Sequence, residues 1–358
     1  MTPETPGAGS PQIATPSLSL SAGRLAAWGW RGLALLGFGL YLWAWWAVWK
    51  LIEPMIPDTI TVDLVVRTIT VEEIRHKVLD AASLLVAMIP FVLYVEAILV
   101  GWEKSSVRRI LFARTESIKM DLACLAAGQT PVMRVIGKVL TFGLSAGFGV
   151  WIHDELSKAV GFNIGLGFMP DIAQVFFYFW LYTFFDYWTH RIDHTYFFWP
   201  LHRYHHSTED FCVITSLRSH PAAFLGVFII NAPMAILGAP VSVMISVNLI
   251  VTTIGLLIHS GIDSDWGWFG KWVIQSPNHH RLHHILDYKT HGVGNFAIAP
   301  IWDHLFGTYK GEAGPELAIG VDKPLYRQGW FFFIDLFRDY WDFVKTYALF
   351  VVGKRRID

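Results

Sequence analysis

The histidines are the residues with the most chemistry to offer. Thirteen of the fifteen lie between His190 and His304. His190 and His194 are four apart, which puts both imidazoles on one face of a helix, about one turn from each other. Alone, that pair fits a shared metal or simply two polar residues at the end of an apolar run. The neighbouring stretches change the reading. His202, His205 and His206 form an HxxHH box, and His280, His283 and His284 form a second. Within the first box the i, i+3 pair His202 and His205 shares a face. His206 is turned about 100° further and suits a second, nearby metal better than the first. His259 ends a long apolar run, where an unpartnered polar ring would cost roughly 1–3 kcal/mol. Chance surface histidines would not repeat a spacing in this way, so the pattern points to metal.

The ligand count narrows the metal site. Eight box histidines plus His259 exceed the four ligands of one tetrahedral zinc. They suffice for two metals with four or five ligands each. No HExxH motif is present. Cys124 and Cys212 are far apart and form no CxxC pair, which argues against a thiolate site or a disulfide framework. Imidazole suits iron, copper, zinc and nickel alike, so the residues leave the element open. No Ser–His–Asp arrangement is visible, and the histidines read as ligands rather than general bases.

Helices in a bilayer must position these rings. Of 358 residues, 53% are hydrophobic and only 16% charged, against about 25% charged in soluble domains. Mean hydropathy is +0.41. Seventeen Trp and 26 Phe fit the aromatic belts of membrane interfaces. The net charge of −1 argues against a nucleic-acid partner. The expected fold is all-α: a polytopic integral membrane protein with a histidine-ligated dimetal site on the cytoplasmic face. Residues 1–22 read as a disordered tail and 23–165 as N-terminal transmembrane helices. Residues 166–310 read as the catalytic domain, and 311–358 as a C-terminal interfacial helix and tail. Spans are expected at Trp28–Leu51, Ala81–Gly101, Val135–His153 and Ile172–Trp188. A hairpin of two more, Ala222–Leu237 and Val241–His259, turns at Gly238-Ala239-Pro240. Trp330–Val352 alternates aromatic and charged residues and reads as an interfacial helix.

Charge sets the orientation. The loop 102–134 carries Lys104, Arg108, Arg109, Arg114, Lys119 and Arg134 against Glu103, Glu116 and Asp121. The positive-inside rule makes it cytoplasmic. The loop 52–80, with only Arg67, Arg75 and Lys77 as bases, faces the other side. Threading onward places 189–220 and 260–358 on the cytoplasmic face, so every histidine box lands on one side.

At these residues the chain resembles the sterol desaturase/fatty acid hydroxylase superfamily of membrane di-iron enzymes. The resemblance covers Ile172 to Lys310. It rests on His190-xxx-His194, on His202-xx-His205-His206 followed by Ser207, on Ser276-Pro277-Asn278-His279-His280-Arg281-Leu282-His283-His284, and on Trp302-Asp303-His304-Leu305-Phe306-Gly307-Thr308. Residues His205–Asp210 and Thr215–Arg218 look most like the alkylglycerol monooxygenase branch. The resemblance implies two iron ions held by His190, His194, His202, His205, His206, His259, His280, His283 and His284. It also implies an O₂-dependent hydroxylation or desaturation of a lipid reaching the site from the bilayer: sterol, fatty acyl chain, alkylglycerol, carotenoid or sphingolipid. Electrons would come from an external donor, since the chain carries no flavin fingerprint and no haem attachment motif. A cytochrome b5-like protein, a ferredoxin or a reduced pterin would serve, and the basic stretch Arg108–Arg114 is a candidate dock for an acidic one.

Other residues carry weaker expectations. Asp186, His220, His279 and Asn295 are candidates for holding ligating rings in place, with Asp193 and Asp303 behind them. Asn295 stands one residue closer to Trp302 than the family pattern has it. His291 and His304 read as surface or packing residues, and His76 and His153 as unrelated. Glu96 lies inside an expected span, where an acid is a functional candidate by default, or else pairs with a nearby base. The rival reading is a histidine-rich membrane metal transporter, which would hold its ligands at the midplane of the spans. A third is a zinc hydrolase needing neither O₂ nor a reductant.

Overall fold

The computed structural model describes residues 22–64, 67–71, 74–128, 143–287, 292–311, 316–321 and 332–353. The tail expected to be disordered lies outside the described residues, but for Ala22. Most of the first half of the expected third span also lies outside them.

Long apolar runs become long helices. α1 (Ala22–Ile52) leads to a two-stranded antiparallel hairpin, β1 (Ile60–Leu64) and β2 (Arg67–Val71). That hairpin is a departure from the all-α expectation. Its strands read Ile-Thr-Val-Asp-Leu and Arg-Thr-Ile-Thr-Val, and β-branched residues alternating with polar ones favour paired strands. α2 (Ile74–Val100) returns beside α1. Tyr41 donates its hydroxyl to the Val86 carbonyl at 2.6 Å, and Phe38 stacks on Tyr94. The stretch read as the loop 102–134 contains two helices, α3 (Ser106–Phe112) and α4 (Glu116–Gly128). Their basic residues alternate with Ile, Leu and Met; in α4 Ile118 and Met120 are buried, while Leu111 and Phe112 at the end of α3 are exposed.

α5 (Leu144–Val160), α6 (Asp171–Asp193), α8 (Phe224–Ile236) and α9 (Val241–Ile258) pack around one core. Tyr178, Met234, Met244, Val247 and Ile254 fill its centre. Four short helices complete the histidine-rich half: α7 (Trp199–His206), α10 (Gly267–Trp272), α11 (Pro277–His283) and α12 (Ile301–Leu305), of which α7, α11 and α12 carry histidines. α13 (Phe332–Val351) ends the described chain. Among the described residues, two helical stretches are long and apolar enough to cross a membrane, Trp28–Met55 and Val241–Ile258. Val86–Val100 and Leu225–Ile236 are shorter apolar helices.

Two buried polar knots lock the frame beneath the histidines. Glu96, in α2, is fully buried. It accepts the Ser106 N–H and hydroxyl and the Gly261 N–H, each at 2.7 Å. The acid inside an expected span is thus a clamp between α2, the start of α3 and the turn that follows His259. The base it comes nearest is Arg109, at 3.9 Å. Arg109 also pairs with Asp210, so one of the three arginines in the candidate docking stretch Arg108–Arg114 is committed internally. The second knot is Asp121 with Arg218, both fully buried. Arg218 donates Nε to Asp121 at 2.6 Å, and its other nitrogens reach Ser207 and the Ser117 carbonyl and hydroxyl. Removing one partner of a buried pair leaves an uncompensated charge, at a cost of about 3–5 kcal/mol. Arg218→Met should therefore lower thermal stability sharply, and adding Asp121→Leu should recover much of the loss, both read as the unfolding midpoint of the purified protein.

Candidate metal centre

All nine imidazoles named from the sequence come together, and they fall into two groups. His190, His194, His202, His206 and His283 form one, and His205, His259, His280 and His284 the other. Within each group the ligand nitrogens lie within 4.8 Å of one another. Four stretches deliver them. The last turn of α6 and its C-cap supply His190 and His194. α7 supplies its three, the C-cap of α9 supplies His259, and α11 with its C-cap supplies the second box. α11 starts sharply because Ser276 caps it, accepting the His279 N–H at 3.2 Å, and Pro277 follows at the first helical position.

The division of the boxes differs from the sequence expectation. His202 and His206 share a group and His205 leaves it. In a full α-helical turn, four residues advance about 400°, close to one revolution, so the i, i+4 pair is the better aligned one. The second box does the same in mirror fashion. His280 and His284 join the group of His205, and His283 crosses to that of His202 and His206. Each box gives two rings to one group and one to the other.

Backbone carbonyls fix the ring tautomers. The Nδ1–H groups donate from His190 to Phe296 O at 2.6 Å, from His205 to Arg218 O at 3.1 Å, and from His259 to Gly255 O at 2.6 Å. His283 donates to Gly294 O at 2.8 Å, and His280 to the Gln275 side-chain oxygen at 2.9 Å. A carbonyl oxygen only accepts, so each of these rings carries its proton on Nδ1 and presents a bare lone pair at Nε2. Yet His259 Nε2 lies 3.2 Å from His205 Nε2 and 2.9 Å from His280 Nε2. Two acceptors at that distance repel. His284 is fully buried, and among the described residues neither of its nitrogens has a hydrogen-bond partner. Burial, reinforced by the neighbouring rings, holds His202, His205, His206, His280, His283 and His284 well below the ordinary imidazole pKa, so they are neutral. Neutral rings with converging lone pairs and one unpartnered ring are the donor set of a cation. The nine residues fit a pair of metal ions.

The residues expected to steady the rings divide. Asn295 stands in the left-handed region at φ +57°. Its amide spans the His279 and Gly311 carbonyls and accepts the Lys310 N–H. That sets the loop whose flanking Gly294 and Phe296 carbonyls hold His283 and His190. Asp303 pins the same loop, accepting the Phe296 and Ala297 N–H groups, each at 2.9 Å, and the Thr308 hydroxyl at 2.7 Å. It serves the loop and not an imidazole. His279 turns away, toward Ser276 and the Tyr309 hydroxyl. His220 also turns away: it accepts the Ala222 N–H and donates to the Leu336 carbonyl, because the chain reverses there into α8. Asp186 lines a cavity beside the rings, with no hydrogen bond to an imidazole among the described residues. Asp193 Oδ2 is 3.8 Å from His202 Nδ1. His304 stacks between Trp272 and Tyr309, a packing role, and His153 bonds to the Ile236 carbonyl. His291 lies outside the described residues, and of the His76 side chain nothing is described.

Sequence reasoning missed Gln275. Its side chain accepts from His280 and donates to the Asn295 carbonyl at 2.7 Å. An amide one residue before the Ser-Pro helix start was the available signal. It also missed Phe211, which packs on the rings of His259, His280 and His284.

The cavity, about 370 Å³, opens beside both groups. His190, His202, His205, His259 and His280 lie at its polar end. Val227, Ile230, Val251 and Ile258, from α8 and α9, form its apolar wall.

Comparison with known proteins agrees with this geometry. The fatty acid hydroxylase family matches residues 175–308. This segment belongs to that family. The stretch holds all nine histidines that the sequence named as ligands. Human alkylglycerol monooxygenase is 28% identical over 142 residues, 39% of this chain and 31% of that protein. The zebrafish (Danio rerio) alkylglycerol monooxygenase is 30% identical over the same length and shares. An ornithine lipid hydroxylase of Rhizobium tropici is 31% identical over 134 residues, 36% of this chain and 40% of that protein. The chain thus spans about a third of the length of these relatives. No solved structure matches.

If Gln275 holds His280 for a metal, its loss should weaken metal binding without emptying the site. Gln275→Leu should lower metal affinity about 10–100-fold, the usual effect of removing a partner behind a ligating ring. Competition with a chromophoric chelator measures it.

Proposed function

We propose that this chain is a multi-pass membrane oxidoreductase that uses two irons and O₂ to hydroxylate or desaturate a lipid. The observation that carries the reading is the convergence of nine imidazoles into two groups. The fatty acid hydroxylase match supports lipid oxidation as the chemistry, and the alkylglycerol and ornithine lipid enzymes make a polar membrane lipid the substrate class to try first. When bound, a redox-active metal pair supplies the activation of O₂ that breaking an unactivated C–H bond requires.

The chain's own residues do the rest. The carbonyls of Gly255, Gly294, Phe296 and Arg218 and the amide of Gln275 hold the rings with their Nε2 lone pairs inward. Val227, Ile230, Val251 and Ile258 admit an apolar chain and exclude water from its path. Placement of that chain in the cavity decides which carbon faces the rings, and hence whether an alcohol or a double bond results. The electrons come from a donor outside the chain: a cytochrome b5-like protein, a ferredoxin or a reduced pterin. The apolar stretches fit a multi-pass arrangement, with the boxes facing the cytoplasm by the charge of 102–134.

An acid such as Glu96 inside an expected span would suit the rival transporter reading. Three hydrogen bonds occupy it, and it holds structure instead of facing a pathway.

Protein purified from iron-replete cells should retain two irons per chain after a chelator wash. Turnover of a membrane lipid extract should require O₂ and a reductant and yield a new hydroxyl or double bond by mass spectrometry. His206→Ala and His284→Ala, one from each group, should each abolish product. Anaerobic turnover with zinc alone would make it a hydrolase. Filling the cavity with Ile230→Trp should cut turnover at least 10-fold while leaving metal content unchanged, since Ile230 bonds to no ligand.

A further inference from the structure

The last helix, α13, is built inside out. Its outward arc carries Phe333, Phe337, Tyr340, Trp341 and Val351, all exposed, with Phe337 at 75%. At about 100° per residue these positions lie within one third of the helix circumference. The opposite arc carries Asp335, Asp339 and Asp342, and the first two are fully buried. A helix on a water-facing surface has the reverse arrangement. Exposed aromatics over an inward acidic face are stable only where the outer medium is apolar. Lys345, at the edge of the outward arc, lies 5.5 Å from the Trp341 ring and 3.7 Å from Asp342, with its apolar stem along the helix.

The acidic face grips the helix that carries the first HxxHH box. Arg203 lies between His202 and Tyr204 in α7. It donates Nε to Asp339 at 2.9 Å, and its outer nitrogen reaches both Asp339 and Asp342. Such charge-assisted contacts with a rigid guanidinium fix orientation as well as distance. A second tie runs from His220 to the Leu336 carbonyl. α7 has only eight residues, too few to be a stable helix alone. Its seat comes from what packs on it, and α13 is a large part of that.

We propose that α13 lies in the bilayer surface with its aromatic arc in lipid, and that Arg203 is a positioning residue through which this contact holds His202 and His206 in their group. The surface assignment stands on α13 alone; the coupling rests on the metal reading above.

Three measurements test it on the full chain, reconstituted in phosphatidylcholine vesicles doped with a diazirine-bearing phosphatidylcholine. After irradiation, peptide mass spectrometry should find lipid adducts on Phe337 and Trp341, as on exposed α1. Adducts on α1 with none on α13 overturn the surface assignment. Cobalt(II) then probes the rings. Arg203→Met should bind cobalt about 10–100-fold more weakly in one of two sites, with a changed ligand-field spectrum, and Arg203→Lys should restore part of both. Should Arg203→Met not fold, Asp342→Asn, which removes only one of the two carboxylates, should show the same change in smaller degree. Two wild-type cobalt sites in every folded variant overturn the coupling. Phe337→Glu with Trp341→Glu should weaken cobalt binding in vesicles but not in detergent; equal affinity in both overturns it as well. Wild-type protein that binds no metal pair would sink the dimetal reading, leaving the lipid adducts to decide the surface assignment separately.

Discussion

Lone pairs of neutral imidazoles repel when they face each other at hydrogen-bond distance, and much of this fold exists to make them do so. His205, His259 and His280 each give their Nδ1 proton to an oxygen behind the ring. Their Nε2 atoms then meet at 2.9 and 3.2 Å with nothing between them to donate. Burying polar groups in that state is costly. Only a cation among them turns the cost into binding. The oxygens behind the rings therefore set the tautomers, and the tautomers set the ligand geometry.

Those oxygens come from parts of the chain far apart in sequence, and each is braced in turn. Phe296 O and Gly294 O flank Asn295, whose left-handed backbone and amide contacts shape the loop, while Asp303 holds its far side. Arg218 O belongs to a residue whose guanidinium is tied to Asp121, Ser117 and Ser207. Gly255 O is the helical carbonyl one turn before His259, and Glu96 fixes the turn just after it. Loosening any of these braces moves a ring rather than deleting one. Such losses grade metal affinity, whereas loss of a histidine removes a ligand outright.

The rings were legible in the sequence because their spacing follows the helix period, and side-chain identity alone names them. Their partition was only partly legible. That the i, i+4 partners share a group follows from the helix period; which pair each remaining ring, His205 or His283, joins depends on how α7 and α11 approach each other, which is tertiary information. The carbonyl acceptors were invisible, since every residue has a backbone oxygen and nothing in Gly255 or Gly294 marks the one that is used. Asp121 and Glu96 show the same limit from the other side. Both are plain in the sequence, yet their partners, Arg218, Ser106 and Gly261, are settled by packing. The stretch 102–134 read as a loop because its charges stood out, although the apolar positions between them carry helix-forming residues. The β1–β2 hairpin was missed because it is short and lies between two long apolar runs.

The bracing bears on why the rings serve chemistry better than transport. A transport site must release its cargo, so its ligands need a second arrangement of similar energy. Here five of nine rings are held from behind by oxygens that are themselves fixed, and Phe211 packs against three rings of one group. Moving a ring would break its bond to a buried oxygen and leave that oxygen unsatisfied, at about 1–3 kcal/mol for each ring. Repeated over several rings, that penalty favours the closed arrangement over an open one. The cavity beside the rings supplies what a resident metal pair needs instead: an apolar wall from α8 and α9 leading to bare nitrogen lone pairs. Fixed ligands and an adjoining space of that shape suit a bound metal that stays while an apolar chain comes and goes.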